Sequence, residues 1–367
     1  MGKAHSLAMS VAGIAAELGV SIEKEVLVDV TPDVAAAAAS RLGWNSSSDS
    51  WRQTLRREDI DVVDICTPPH MHKEIATAAI SSGKHVFCEK PITNSSAEAQ
   101  AMVDAADRAG VTTQVGFNYR HTPAIAFTKK LIEDGRLGVP LQFRASFLQA
   151  ANFNADPKRW RASKLTGGSG TVGDVGSHLV DIAEYLFGDI ARVAARVRAK
   201  APVAEDGWVD ERERVEQDLV DNAGVWLAEF ENGAIGNFAV NSYSSGRQNR
   251  LYFELDTSQG AVEFDWNARE EFRVSYVAEP DDHKGFRTIH TNSQHPNGWW
   301  RLAGLGTGYV EIMAIEFQEF FRAIASGTQA EPNFATGLRV QTVIEAVNAA
   351  AATGQWVDVP PRVRKER

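Results

Sequence analysis

Apolar and polar residues alternate with two different periods along the first third of the chain. Four short apolar runs have the character of buried parallel strands: 25–30, 61–66, 84–88 and 113–117. Between them, apolar positions recur at helical spacing and predict helices over 3–18, 32–42, 70–82 and 95–110. Strands that alternate with helices indicate an α/β fold built on a doubly wound parallel sheet.

The pattern changes after residue 122. A helix over 123–134 and a strand over 142–148 are followed by a Gly-rich loop and a helix over 177–187. Further strands are predicted at 192–199, 225–230, 234–241, 252–256, 261–266 and 272–278, and helices at 311–326 and 335–353. The hairpin signal Asn232-Gly233 indicates antiparallel pairing. We therefore expect domains 1–122 and 123–367, the second an α+β domain with a large, mostly antiparallel open sheet.

Length, charge and cysteine content limit the classes of protein and of partner that the chain can represent. The 367 residues suit two domains, and the net charge of −10 gives no support to nucleic-acid binding. No apolar run approaches the roughly 20 residues that a membrane span needs. Cys66 and Cys88 end apolar runs, so we expect buried free thiols and a reducing cytoplasm. The acidic stretch 205–221 is expected to be a solvated excursion.

The first residues match half of a dinucleotide-binding fingerprint, in which a strand, G-x-G-x-x-G and a helix follow one another. Gly2 corresponds to the third glycine, and the helix begins there directly. Asp29, at the end of run 25–30, stands where an acid binds ribose hydroxyls and would repel a 2′-phosphate, which favours NAD over NADP. A turn aspartate is the alternative. We expect the first strand to lie upstream of Met1, and runs 25–30 and 61–66 to present unpaired edges without it.

A charged pair locked by a proline, Glu89-Lys90-Pro91, ends the run at 84–88. Proline fixes its own φ and restricts the residue before it. Lys90 is therefore held in one direction at the carboxyl end of a strand, where open α/β sheets bind ligands. Taken alone, the tripeptide also fits a solvated turn.

A second set of chemical groups follows a Gly-rich loop. Asp174 and His178 stand four residues apart and share one face if helical. Oxidation of a secondary alcohol requires a group that takes the hydroxyl proton, which suits imidazole, and a positive charge for the developing alkoxide. The alternatives are a helix-start aspartate with a core histidine, and a metal site that includes His70 and His72. We expect no metal, because such hydride transfer needs none.

Taken with Thr67-Pro68-Pro69-His70-x-His72 and Gly168-x-Gly170-x-x-x-Asp174-x-x-x-His178, the Glu89-Lys90-Pro91 motif makes the chain resemble the Gfo/Idh/MocA family of oxidoreductases over essentially its whole length. Segments 285–288, 295–296 and 305–311 resemble most the members that oxidise anhydrosugars. The resemblance implies a Rossmann-type NAD domain, with His178 as acid/base, Lys90 polarising the hydroxyl, and Asp174 binding substrate and tuning His178.

The resemblance also implies NAD-dependent oxidation of a ring secondary hydroxyl of levoglucosan or a related pyranoside, with C3 as the expected position, in a homodimer or homotetramer. An inositol dehydrogenase and a non-catalytic NAD-binding regulator are the alternatives; a regulator has no need of Lys90, Asp174 and His178 together. The expected cofactor-side residues are Gly2, His5, Asp29, Thr67, Pro68, His72, Glu89, Lys90, Asn118, Trp160 and Arg161. The expected substrate-side residues are Lys90, Arg120, Gln149, Asp174, His178 and Tyr309.

Overall fold

The computed structural model describes residues 1–151, 160–200, 208–209 and 219–362. The chain divides into two compact units. Unit 1 comprises Met1–Thr93, Ala97–Asn118 and Gly308–Leu338, and unit 2 comprises Asn94–Ser96, Tyr119–Thr307 and Arg339–Arg367. The predicted division after residue 122 lies near one of these transitions. It differs in that residues 308–338 group with unit 1.

The described helices and strands follow the predicted order. The helices are α1 (Gly2–Ala15), α2 (Pro32–Leu42), α3 (Trp51–Thr54), α4 (His72–Ser81), α5 (Ser96–Ala109), α6 (Pro123–Glu133), α7 (Lys164–Gly167), α8 (Ser177–Phe187), α9 (Tyr309–Ser326) and α10 (Phe334–Thr353). The strands are β1 (Val26–Val28), β2 (Ser46–Ser48), β3 (Val62–Ile65), β4 (His85–Cys88), β5 (Thr113–Val115), β6 (Pro140–Leu148), β7 (Ile190–Lys200), β8 (Trp208–Val209), β9 (Ala223–Phe230), β10 (Ile235–Asn241), β11 (Arg250–Thr257), β12 (Gly260–Asp265), β13 (Glu271–Tyr276), β14 (Arg287–His290) and β15 (Val357–Asp358). Sequence patterns missed the short elements β2, α3, α7, β8, β14 and β15.

Unit 1 carries the parallel strands. β3, β4 and β5 form one parallel sheet in that order, and β1 pairs with β2 in parallel. Among the described strands, none joins β1 to β3, so each has an edge without a partner. This matches the unpaired edges that the sequence predicts for runs 25–30 and 61–66. The expectation about residues upstream of Met1 stays a prediction.

The core of unit 1 explains why residues 308–338 belong to it. β4 is apolar on both faces, and Val86, Phe87 and Cys88 are fully buried. The Phe87 ring stacks on Phe317 of α9 with centroids 4.5 Å apart. An aromatic pair of this kind contributes about 0.5–1.5 kcal/mol beyond the area it buries. A segment made late in the chain therefore completes the core of the first unit.

Unit 2 contains the large sheet, in the order β14-β13-β12-β11-β6-β10-β9-β7-β15, with β8 on β7. Neighbouring strands are antiparallel except β6 and β10, which pair in parallel. Burial alternates along β9, so Trp226 and Phe230 face the core while Val225 and Leu227 are exposed. Most of α8 is buried, as expected for a helix in the inner layer. The predicted mostly antiparallel open sheet is confirmed.

Two local predictions require correction. Residues 172–176, expected to be part of the Gly-rich loop, wind as a π-helix. Asp221, at the end of the stretch expected to be solvated, is fully buried because it bonds the backbone of that π-turn. Residues 205–207 and 210–218 of the stretch lie outside the described residues. Within the described residues, no helix combines the length and apolar character that crossing a bilayer requires.

Candidate active site

The Glu89-Lys90-Pro91 turn follows the last residue of β4. Glu89 is buried, and its Oε2 accepts a hydrogen bond from the backbone N–H of Lys90 at 2.9 Å. The Lys90–Pro91 peptide bond is cis. Lys90 itself is half-buried. The turn therefore begins with a carboxylate that folds back onto the backbone of the lysine.

His5, on α1, lies between two carboxylates. Its Nδ1 is 2.9 Å from Asp64 Oδ1 and its Nε2 is 3.0 Å from Glu89 Oε1, and the residue is 1% exposed. Burial by itself lowers the pKa of His5, but the Asp64 carboxylate and the Cys66 thiol raise it, and the resulting pKa lies well above 6.5. Burial raises the pKa of Glu89, whereas the hydrogen bond from His5 lowers it, and the pKa falls below 4.5. Carboxylates engage both ring nitrogens of this buried imidazolium, which disfavours the predicted cofactor contact of His5.

The same cluster contains a thiol. Cys66 Sγ lies 3.3 Å from His5 Nδ1, and burial and Asp64 raise the pKa of this thiol to about 11. Ligand atoms of His5, Asp64 and Cys66 lie within 4.8 Å of one another. In this arrangement the Nδ1 atom of His5 lies within hydrogen-bonding distance of both Asp64 and Cys66. Cys88 is buried as expected, whereas Cys66 is only half-buried.

His72 begins α4 and is fully buried. Its Nε2 is 2.8 Å from the carbonyl oxygen of Thr67, and its Nδ1 is 3.1 Å from those of Pro91 and Ile92. Backbone groups engage both ring nitrogens. This placement disfavours the predicted cofactor contact of His72, and it also disfavours a role as a metal ligand.

Polar groups at the carboxyl ends of the parallel strands suit a dinucleotide. The Thr67 hydroxyl after β3 and the Asn118 amide nitrogen after β5 are buried without a hydrogen-bond partner among the described residues. Such atoms cost free energy unless a ligand satisfies them. Asp29 follows β1, and its Oδ1 accepts from the Thr31 N–H at 3.0 Å. Pro68 precedes a short 3₁₀ turn at Pro69–Met71, and Gly2 is the first residue of α1.

In unit 2, a π-turn at Val172–Gly176 leads into α8. Asp174 lies in the π-turn, and His178 is the second residue of α8. The Asp221 Oδ1 accepts a hydrogen bond from the Val172 N–H at 2.7 Å, and Gly170 has φ of +83° beside the Asp221 backbone. A π-turn inside a helix frequently marks a functional position. Asp221 thus fixes the start of the segment that carries both predicted groups.

The predicted Trp160-Arg161 pair lies beside Asp174. The guanidinium of Arg161 covers the Trp160 ring at 4.1 Å, and its Nε is 3.8 Å from Asp174 Oδ2. The Asp174 side chain is 37% exposed, so its carboxylate is open to solvent as well as to this cation. Arg161 therefore places a positive charge beside the Asp174 carboxylate.

His178 is buried among aromatic rings. Tyr119 meets it edge-on at 4.8 Å between centroids. The Tyr119 hydroxyl accepts from the Asn249 amide at 2.9 Å, and Asn249 Oδ1 accepts from Gln149 at 2.6 Å. Burial raises the pKa of Tyr119 to about 12, so the phenol stays neutral. Gln149 therefore reaches the surroundings of His178 through two residues that sequence reasoning missed.

The functional residues that sequence reasoning missed differ in whether a sequence signal could have indicated them. Tyr119 stands between the predicted Asn118 and Arg120, so its neighbours gave a signal. The sequence around Asn249 and Asp221 gave no such signal.

Arg120 pairs with buried Asp181 through two nitrogens and covers the Tyr185 ring at 4.7 Å, which disfavours its predicted substrate contact. Tyr309 begins α9 in unit 1 and is 37% exposed.

Comparisons with known proteins agree with this architecture. Residues 12–117 match the oxidoreductase family with an NAD-binding Rossmann fold, and residues 125–263 match the GFO/IDH/MocA C-terminal domain. The chain is 38% identical to levoglucosan dehydrogenase of Pseudarthrobacter phenanthrenivorans, over 98% of this chain and 96% of that protein. D-apiose dehydrogenase of Paraburkholderia graminis is 28% identical over 83% of this chain and 74% of its own length.

A solved structure agrees with these relatives in both fold and sequence. Levoglucosan dehydrogenase in complex with NADH and levoglucosan superposes with a TM-score of 0.91 and 38% identity, covering 98% of this chain and 96% of that one. The doubly wound parallel fold, the large antiparallel sheet and the identity over nearly the whole length all agree. This chain belongs to the Gfo/Idh/MocA family of NAD-binding oxidoreductases.

Proposed function

We propose that the protein oxidises a ring secondary hydroxyl of levoglucosan or a related pyranoside to a ketone, at C3. The observation that carries this proposal is 38% identity over 98% of the chain to a levoglucosan dehydrogenase. A sugar dehydrogenase is consistent with the chemical groups present: an ammonium at a strand end, and a carboxylate and an imidazole at a helix start.

The proposed roles follow from chemistry and from the family resemblance. His178 accepts the hydroxyl proton, a task for which an imidazole is suited and which contributes typically 10²–10⁴-fold to the rate. Lys90 stabilises the developing alkoxide, because a fixed positive charge acts where negative charge appears. Asp174 binds a substrate hydroxyl and tunes His178, and Arg161 lies beside that carboxylate.

The protein uses NAD, which when bound accepts the hydride from the carbinol carbon. Thr67 and Asn118 supply the buried hydrogen-bonding atoms without a described partner at two strand ends, which suits contact with the cofactor. Asp29 is the proposed ligand of the ribose hydroxyls. We expect kcat/KM with NAD to exceed that with NADP by about tenfold or more, since about 1.4 kcal/mol of repulsion suffices. Comparable values for the two would show that Asp29 acts elsewhere.

The experiment that tests the function is a substrate panel. NADH formation is measured with levoglucosan, myo-inositol, glucose and methyl glucosides, and the ketone position is determined by NMR of the product. We expect the highest kcat/KM with levoglucosan or a methyl glucoside, with the ketone at C3. A preference for myo-inositol would make the protein an inositol dehydrogenase. NAD binding without turnover of any of them would indicate a regulator.

We also propose a homodimer or homotetramer in the cytoplasm. The outer face of the large sheet exposes Val225, Leu227 and Ile235, each more than half exposed. An apolar face of this kind is typical of an association surface. Light scattering after size-exclusion chromatography tests the oligomeric state. The two free cysteines, Cys66 and Cys88, suit a reducing compartment.

A further inference from the structure

Two buried histidines hold the segment that carries Lys90, and the proposed chemistry uses neither of them. We infer that His5 and His72 are positioning residues for Lys90, fastening the segment 89–92 to β3 and to the loop after it. The inference rests on the proposed function, in which Lys90 acts on the substrate. All the contacts involved lie within unit 1.

The first anchor reaches Lys90 through Glu89. One oxygen of Glu89 accepts from His5 Nε2 at 3.0 Å, and the other accepts from the backbone N–H of Lys90 at 2.9 Å. The opposite nitrogen of His5 lies 2.9 Å from Asp64 on β3. Charge-assisted hydrogen bonds are shorter and stronger than neutral ones. A single imidazolium thus joins β3 to the residue immediately before Lys90.

The second anchor holds the residues immediately after Lys90. His72 lies between the carbonyl of Thr67 on one side and those of Pro91 and Ile92 on the other. Carbonyl oxygens only accept hydrogen bonds. Burial lowers the pKa of His72, so the neutral ring donates a hydrogen bond to one of the two sides and packs against the other.

The two anchors, His5 and His72, use different kinds of contact to hold the same segment around Lys90. His5 acts through a side-chain carboxylate, and His72 acts through backbone carbonyls. Both reach back to β3 or the loop after it, at Asp64 and Thr67 respectively. Lys90 is therefore confined from both of its neighbours along the chain, and loss of either anchor releases one side.

A histidine at the other end of β4 offers a matched control. His85 begins β4, at the end away from Lys90, and its Nδ1 accepts from the Thr112 N–H at 2.9 Å. It too is a histidine bonded to backbone, but it has no described contact with segment 89–92. His85→Gln should change stability without changing the position of Lys90.

The kinetic test is a double-mutant cycle on the full chain, with NAD and the best sugar of the panel. His5→Leu and His72→Phe are each made in the wild type and in Lys90→Ala. We expect each to lower kcat about tenfold or more in the wild-type background, with KM for NAD within about threefold, and to cause less than a twofold further loss beside Lys90→Ala. His85→Gln should leave kcat within about twofold. An equal loss in both backgrounds would show a merely structural role.

Hydrogen exchange supplies a readout that needs no substrate. A peptide covering residues 88–93 should exchange about tenfold faster in His5→Leu and His72→Phe than in the wild type, and at the wild-type rate in His85→Gln. Unchanged exchange in the histidine variants would overturn the inference.

The controls separate this inference from the proposed function. If a variant fails to fold by circular dichroism and melting, two milder variants replace it. His5→Gln retains one of two hydrogen bonds and His72→Gln retains a donor without the ring, so each should give a smaller loss in both measurements. Wild-type turnover by Lys90→Ala would remove the role of Lys90 in the proposed function and this inference with it. Loss of activity in Lys90→Ala together with equal losses in both backgrounds would remove this inference alone.

Discussion

Lys90 and His178, one in each unit, are held by different kinds of contact. In unit 1, buried ionic and carbonyl hydrogen bonds from His5 and His72 fasten the turn at the end of β4. In unit 2, close backbone packing around Gly170 and one buried carboxylate fix the π-turn before His178. The first arrangement depends mainly on ionic hydrogen bonds at His5, and the second combines close packing at Gly170 with one buried carboxylate.

The difference predicts two kinds of sensitivity. An ionic network should respond to pH and to the loss of a donor, since its free energy depends on protonation. The packing at Gly170 should respond to added volume and should be indifferent to pH, because overpacking acts through sterics. Substitutions in the two regions can therefore be distinguished by whether their effect on stability changes with pH.

The largest effect is expected from the chemical groups themselves. Lys90→Ala and His178→Ala should each lower kcat/KM about 10²-fold or more with NAD affinity nearly unchanged, because the proposed role of each is to act on charge that develops only in the transition state. Steady-state kinetics and NAD titration by tryptophan fluorescence measure the two quantities. Near-wild-type turnover in either variant would remove that residue from the mechanism.

Adding one methyl group at Gly170 tests the dependence of unit 2 on shape. Gly170→Ala places a Cβ against the backbone of Asp221 at φ of +83°, and should lower the free energy of unfolding by about 3 kcal/mol through strain and overpacking. Gly246→Ala is the matched control. It has φ of +81° with nothing described within 4 Å, so it should cost about 1 kcal/mol from strain alone. Equal losses in denaturant unfolding would contradict close packing at Gly170.

Removing the buried carboxylate should have a somewhat smaller effect. Asp221→Ala leaves the Val172 N–H unsatisfied and should cost about 2 kcal/mol, while Asp221→Asn keeps an acceptor and should cost less. Both should lower kcat more than they raise KM for NAD, since the turn carries Asp174 and His178. A larger loss in the asparagine variant than in the alanine variant would show that the hydrogen bond is not what matters.

The smallest effect is a pH dependence in unit 1. The pKa of His5 is raised by folding, so its contribution is complete below about pH 6.5 and is lost as pH rises through the folded pKa. The pKa of Glu89 is lowered, so its contribution is present above about pH 4.5 and is lost as pH falls through the folded pKa.

The stability difference between wild type and His5→Gln should therefore be largest near pH 5–6.5, at about 2 kcal/mol, and shrink toward alkaline pH. Melting curves from pH 5 to 10 measure it. The difference between wild type and Gly170→Ala should stay flat over the same range. A flat difference for His5→Gln would mean that the ring is not charged in the native protein.

Sequence patterns predicted several elements well: α2 and α8 have the predicted bounds, and β4 and β10 differ from the prediction by one residue. They failed where a tertiary contact decides the conformation. The π-turn at 172–176 depends on Asp221, which is distant along the chain, and no local pattern distinguishes that aspartate from its solvated neighbours. Likewise, His72 has the spacing of a loop residue near a ligand, and only the fold shows both of its nitrogens engaged by carbonyls.

The stacking of Phe87 on Phe317 has a consequence for how the protein is made. The apolar surface of β4 leaves the ribosome early, but the helix that covers it belongs to a segment synthesised after nearly all of unit 2. At ~5–20 residues per second, that delay is on the order of ten seconds or more. During this interval the nascent first unit exposes aromatic surface, so it should be a substrate for holding chaperones until α9 emerges. In this chain the N-terminal unit is the one that finishes folding late.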